Sequence, residues 1–589
     1  MSKLQRIIVG HMPILIAAGF LSILIQTPLF LFPVLEREAY QGINISHYGT
    51  DEHYYLLRAA SIARGGSPSN PVLQEGRDTP DHTFSYAEKI LIEPIRWLGL
   101  LDSASIVTVV NATNVIGVFL LILLIYMFAL QLSKDKRIAL ATAVFVIGGY
   151  SIVYNKGFFY GDFNIYGRMM FPLMSSLFFF AYLNLLVLCL RTGKQIHTAA
   201  AGIIFGSLFY LYYFAWSFTL AATSFLALWY LVKKNKTQAV RVLAILGIGV
   251  ALGAYNLFHI FTYFSSPAGK QSAYFAWTLH TRMPVFSLIS VVTLLIVAYF
   301  LYRAKNKDET FIALAFSLIV AGIAALNEQV ITGVLVQYGH YYWYFIVPLS
   351  IIIATYCVWF LLPKESYRTI FVALLIGSAF LNTAVGQYRS YFQTLEAKEY
   401  EQRFGLALDI LSLDTSPSVV LAADDRNASL VPIYTPHYLF WYSQALEGGA
   451  SIDRLKEALF TYVYLSKGGR DNFTSFLSAE LSKGMNGSMY ASLFTTFEGL
   501  QSGLDYYVYR DKTVAQDPVL LAQRGRILDT LAAEYEVFKD EPHKVENVLK
   551  ERHVTYILWD KNLYSDWDIS FLPTSLIEEK NDIALYAIF

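Results

Sequence analysis

The stretch SHYGTDEHYYLLRAASIARGG, Ser46–Gly66, follows a long apolar run and begins with two adjacent carboxylates, Asp51 and Glu52. Leu56, Leu57, Ala60, Ile62 and Ala63 recur at helical spacing, which predicts an amphipathic helix lying on a membrane surface. The acid pair therefore stands where a first span ends and a surface helix starts. Asp at a helix start satisfies free amides and complements the dipole, so the pair reads equally as a cap. The chemical reading is general base catalysis, one carboxylate accepting a proton from an attacking hydroxyl while its partly buried neighbour tunes it. Neighbouring helical residues point about 100° apart, so one of the two faces a given substrate. That one is expected to be Asp51.

Outward from this stretch the chain is apolar. Hydrophobic residues make up 55% of 589, aromatic residues 16%, which is the composition of a multi-pass membrane protein. Spans of about 17 to 25 residues are needed to cross a bilayer, and about eleven transmembrane helices are expected: 7–32, 106–132, 138–154, 171–190, 199–213, 216–232, 240–263, 285–302, 311–326, 344–362 and 370–385. The turn in LYYFAWS is so short that one of the spans beside it reads as re-entrant. Lys3 and Arg6 precede a run too long for a signal peptide, so the first span is expected to be retained.

Alternate connections read SKDKR, RTGK, KKNKTQAVR, RAKNK and PKESYR, a basic set that places them, and the N-terminus, in the cytoplasm. The outer face then receives the first loop, 35–105, three further connections and everything after Tyr388. Net charge is zero overall, but the part from Tyr388 on carries −10 and the rest +10. The expected division is a membrane domain, 1–387, and an extracytoplasmic α/β domain, 388–589. In the tail SVVLAAD, VTYILWD and ALYAIF read as buried strands, and ADDRNASLVPIYTPHYLFW as a surface loop that closes over the membrane site or binds an acceptor. Cys189 and Cys357 both lie in apolar runs, so no disulfide supports the tail; this favours a prokaryotic plasma membrane.

A cytoplasmic N-terminus, an acidic motif at the end of span one, two surface helices in the first outer loop (the second, AEKILIEPIRWLGLL, kinked at Pro94) and an outer C-terminal domain together resemble the GT-C class of membrane glycosyltransferases. TDEHYY is similar to the acidic pair followed by aromatics, here His53 and Tyr54, in protein O-mannosyltransferases and in bacterial aminoarabinose and RgtA-like transferases. The resemblance implies an inverting transferase with a polyprenyl-phosphate sugar donor, the first-loop Asp as base, and a glycan, lipid or protein acceptor. A phosphate leaving group needs fixed positive charge, for which the planar fork of Arg suits. Arg168 in GDFNIYGRMM is the candidate, with snorkelling to headgroups as its plain alternative. Oligosaccharyltransferase catalytic subunits carry an acidic metal motif in the matching loop. YGDFN resembles it in part, with Asp162 present and Asn164 where a second acid would stand, so a divalent metal stays open and no cofactor is required.

Lys270 and Arg282, with His280, Tyr274 and Trp277, fall in the next outer connection and are candidates to assist at the phosphate. In ALNEQVITGVLVQYGHYYWY, Asn327, Glu328 and His340 sit at the outer membrane boundary, where polar groups commonly mark sites; His340 and Tyr341 are candidates for the sugar or phosphate pocket. Asn256 and His259 read as helix contacts. An oligosaccharyltransferase-like en bloc transferase is the rival enzyme, although LWDKNLYSDWD only echoes its tail motif. A flippase is the rival of another class; no inverted repeat is evident. No P-loop, zinc cluster or nucleic-acid-binding patch is present.

Overall fold

Pro28 interrupts the first apolar run. In the computed structural model, which describes residues 9–45, 51–66, 70–76, 85–101, 105–159, 164–266, 269–270, 278–304, 308–423, 425–446, 449–484, 487–502 and 517–589, α1 (Met12–Ile25) and α2 (Thr27–Leu35) meet at buried Gln26 with a 54° bend. Proline has no N–H for the carbonyl one turn back and its ring crowds that carbonyl. The first loop then supplies two helices, α3 (Asp51–Ala63) and α4 (Ala87–Trp97). A buried ion pair ties them: Arg58 Nε donates to Glu88 Oε1 at 2.9 Å, and Nη2 to the Ser85 carbonyl at 3.0 Å.

The membrane domain continues with α5 (Ile106–Ser133), α6 (Lys136–Gly148), α7 (Ser175–Thr192), α8 (Gln195–Leu208), α9 (Tyr213–Val232), α10 (Lys236–Ser265), α11 (Leu288–Arg303), α12 (Glu309–Ala325), α13 (Val347–Leu361) and α14 (Glu365–Gln402). Every expected span falls on helix. Six described helices are long and apolar enough to cross a membrane alone, and the bent α1–α2 pair makes seven. The helices at the other four expected spans, α6, α8, α11 and α12, have 13, 14, 16 and 17 residues. At 1.5 Å per residue these are shorter than a hydrocarbon core of about 30 Å. By length and apolarity the described helices thus supply six or seven of the eleven expected spans. The basic connections gather: Arg137 pairs with Glu365, and Arg191 with Asp308 at 2.5 Å.

α8 packs against α10 through matched glycines. A Cβ on Gly202 or Gly206 would run into Ile248 or Leu252, and one on Gly249 or Gly253 into Phe205 or Phe209. Small residues four apart on both helices let the backbones approach where no hydrophobic force draws helices together. β1 (Thr278–His280) and β2 (Val334–Val336) pair antiparallel and join two of the connections expected to be outer.

α14 runs unbroken through position 388, so the first residues assigned to the tail belong to a 38-residue helix. After it come α15 (Gly405–Leu413), β3 (Val419–Ala422), α16 (Leu430–Tyr434), β4 (Tyr438–Leu439), α17 (Ile452–Leu465), β5 (Val554–Asp560), β6 (Thr574–Lys580) and β7 (Ile583–Ile588). The sheet order is β4-β3-β5-β7-β6; β3 is parallel to β4 and β5, and β7 antiparallel to β5 and β6. The segment expected to be a surface loop is instead packed inward. Leu430, Val431 and Ile433 are buried, and α16 lies against α3. Asp162, Tyr274, Trp277 and Asp424 lie outside the described residues.

Candidate active site

Asp51 and Glu52 open α3. As their helical spacing requires, their side chains enter different surroundings: Asp51 is 52% exposed and Glu52 8%. Arg168 grips both. Its Nη2 donates to Asp51 Oδ2 at 2.7 Å and its Nε to Glu52 Oε1 at 2.5 Å. Arg168, read from the sequence as the candidate for the phosphate, also pairs with both acids, a contact that chain separation hid. Two of its five N–H groups are used in this way. Burial pushes the Glu52 carboxyl above its usual range, and the negative charge of Asp51 adds to that; Arg168 opposes both.

The position of Arg168 is set from inside the membrane domain. Asn164 caps the turn Ile165–Gly167, its side chain accepting from Tyr166 N at 3.0 Å and donating to the Ile147 carbonyl at 2.8 Å. The Gly167 carbonyl, next to Arg168, accepts from Gln26 Nε2 at 3.2 Å and from Asn114 Nδ2. Both amides are buried. Sequence reasoning passed over them, yet a polar residue inside an apolar run is the signal that could have found them.

An aromatic wall stands beside the pair. Tyr55 meets Phe171 edge-on at 5.5 Å, Phe171 stacks on Tyr212 at 4.3 Å, Tyr212 Oη bonds His340 Nδ1 at 3.0 Å, and His340 stacks on Tyr344 at 5.2 Å. Tyr55, Tyr212, His340 and Tyr344 all lie close enough to feel the charges of Arg168 and Asp51. Of the wall, the sequence reading singled out His340. Tyr212 comes from the LYYFAWS turn, between α8 and α9.

The remaining candidates are elsewhere. His53 is 2% exposed and turned to the tail: Nδ1 bonds Ser429 Oγ at 2.7 Å and Nε2 lies 3.6 Å from Glu401 Oε1. It packs between α3, the tail and the end of α14. Tyr54 lies under the Arg58 guanidinium at 5.6 Å. Tyr341 faces away from the wall, bonding Ser217 Oγ at 2.8 Å and Glu328 Oε2 at 3.3 Å. Burial raises the Glu328 carboxyl to about 7. Arg282 donates to the Val330 and Ile331 carbonyls at 2.9 and 3.0 Å, and Lys270 is exposed. Among the described residues neither touches the acid pair. Asn164 is engaged at both ends of its amide, and among the described residues no three His, Cys, Asp or Glu converge as metal ligands.

No protein-family model and no curated protein matches the chain. Among solved structures it is similar to the oligosaccharyltransferase of Archaeoglobus fulgidus. Tethered to an acceptor peptide containing the NVT sequon, that protein is 13% identical over 94% of this chain and 69% of its own, with a TM-score of 0.47. In the apo form it is 13% identical over 94% and 70%, TM-score 0.46. In complex with Zn and sulfate it is 12% identical over 93% and 68%, TM-score 0.44. That neighbour is a GT-C glycosyltransferase, the class that the sequence resembles, at a similarity too low to assign this chain to it.

Proposed function

We propose that the protein is an inverting GT-C-type glycosyltransferase that moves a sugar from a polyprenyl-phosphate-linked donor to an acceptor hydroxyl at the outer face of a membrane. The observation that supports it is the half-open Asp51 carboxylate at a helix start, beside a buried carboxylate and an arginine shared by both. Asp51 takes the proton of the acceptor hydroxyl as its oxygen attacks the anomeric carbon. The sugar–phosphate C–O bond breaks, its electron pair leaves with the polyprenyl phosphate, and the configuration inverts. Arg168 offers its remaining N–H groups to the developing charge. The aromatic wall gives sugar rings a flat apolar face, with His340 and Tyr344 at its far end.

On this reading the site and the tail face the outside of a prokaryotic plasma membrane, and the acceptor is an envelope glycan, a lipid or a protein. The test is Asp51→Asn, which keeps the size and part of the capping ability of Asp51 and removes the base. Sugar transfer from a radiolabelled polyprenyl-phosphate donor in detergent should fall by about 10² to 10⁴, with folding little changed. Near-native turnover would return Asp51 to a capping role. A carrier of lipid-linked sugar would bind the donor in this assay and leave its bond intact.

A further inference from the structure

The first loop does not rest on the membrane domain alone. Each of its described pieces between Gln41 and Gly76 is also fastened to the end of α14 or to the tail. At its entry, Gln402 Oε1 accepts from Gln41 N at 2.8 Å and from Ile43 N at 3.3 Å, and Tyr434 Oη accepts from Asn44 N at 3.1 Å. Along α3, His53 bonds Ser429. Just past α3, Arg64 caps the end of α16, donating to the Pro432 carbonyl at 2.6 Å and to the Thr435 carbonyl.

Further on, the loop joins the tail at the edge of its sheet. The Val72 carbonyl accepts from Leu439 N of β4 at 2.9 Å. Three residues later Glu75 Oε1 receives Arg454 Nε at 2.8 Å. Arg454 is 6% exposed; it lies over the Phe440 ring at 4.5 Å, donates to the Phe440 carbonyl, and pairs with Glu457 at 3.2 Å. Glu457 also receives Arg552 at 2.9 and 3.0 Å. A buried arginine so committed to its own domain gives Glu75 a fixed point to bind. Arg552, the other cation on Glu457, also lies 3.9 Å from Glu75, so the loop carboxylate meets two arginines of the tail.

We propose that the C-terminal domain is a clamp that holds α3, and with it Asp51 and Glu52, in register with Arg168, and that Arg64, Glu75 and Arg454 are its positioning residues. None of the three touches the acid pair. They act through the loop's backbone past the end of α3, while His53 on Ser429 and the entry bonds of Gln41, Ile43 and Asn44 hold its start, so its first turn has one position relative to the membrane domain. The tail is then part of the site's framework and not an appendage reserved for acceptors. This deepens the transferase reading and rests on it for its kinetic consequence.

The experiment uses the full chain in detergent and the Glu75→Gln variant, which removes the charge and keeps the shape at a side chain that is 36% exposed. Backbone hydrogen exchange of a peptide covering Asp51–Ala63 should quicken by about twofold to fivefold, the range that loss of one partly exposed ion pair allows, while peptides from β3 and β5 stay as in the parent. Glu75→Asp should return part of the protection. Arg64→Gln, directly at the end of α3, must move the same peptide. In the transfer assay both variants should lower kcat with donor KM held within about twofold, because the interaction lost orients the base and does not bind the donor. If neither variant changes exchange in α3, or if the change spreads evenly into β3 and β5, the clamp is overturned. If the parent protein transfers no sugar, the transferase reading fails, and the exchange result still decides the clamp.

Discussion

The two sides that grip the first loop use different chemistry. On the membrane side the loop meets a stack of rings and a single arginine shared by two of its carboxylates, and that arginine is set in place by buried amides, Gln26 and Asn114, on the neighbouring Gly167 carbonyl. On the tail side they are a run of ion pairs, Glu75–Arg454–Glu457–Arg552, with further bonds to backbone. Within hydrocarbon an unpaired charge costs several kcal/mol, so a neutral amide is the cheaper way to hold a loop. On the tail side the pairs centre on buried Arg454, whose carboxylate partners Glu75 and Glu457 are partly exposed, so they fix orientation more than they add stability. The comparison teaches that Arg168 is the exception. It is a buried cation kept on the membrane side, where only the acid pair can balance it.

That exception gives the largest expected effect in the contrast between the two sides. Arg168→Ala leaves Glu52 buried without its partner, and breaking a buried pair in this way costs about 3 to 5 kcal/mol. Thermal unfolding in detergent should fall accordingly and transfer should be lost. Arg168→Lys should recover part, since one ammonium cannot bridge two carboxylates as the fork does. An Arg168→Ala protein as stable as the parent would place Arg168 with the partly exposed pairs of the tail. A smaller effect is expected from Asn114→Leu, which matches the size of the amide and removes one donor from Gly167. It should cost about 1 to 3 kcal/mol and shift donor saturation through Arg168. If Asn114→Leu is silent, Gln26 alone holds the carbonyl and the membrane-side grip is simpler than drawn.

The smallest effect is a pH dependence. The folded Glu52 carboxyl is raised above the value of 4.5 of an unfolded chain. Between 4.5 and that higher pKa the folded protein holds a proton that the unfolded chain releases, so stability falls as pH rises through this window and stays lower above it. Glu52→Gln should flatten the dependence, read as unfolding temperature against pH. A slope of the opposite sign would mean that Arg168 outweighs burial at Glu52.

Much of this was legible in the residues. Ser105 and Asp135 cap α5 and α6, as Ser and Asp do before apolar runs, and three of the tail's five strands, β3, β5 and β7, lie where the apolar runs predict them. The GxxxG spacing in α8 and α10 was there to be read. What could not be read is distance. Arg168 meets Glu52 across 116 positions, and Glu75 meets Arg454 across 379. No local pattern reports such pairs, because a side chain's partner depends on how the helices between them pack.

The sequence alone therefore determined that the chain is dominated by apolar helices, that an acidic pair begins a helix after the first of them, and that a mixed α/β tail follows, since burial of apolar surface and backbone hydrogen bonding act locally on composition and period. Tertiary structure decided which of the polar residues met: it gave Arg168 to Asp51 and Glu52, set His53 against Ser429 of the tail, and closed the tail's edge strand with the first loop. Those choices are long-range. A charge or amide removed from water takes whichever partner the packing brings within reach, and only the assembled fold says which that is.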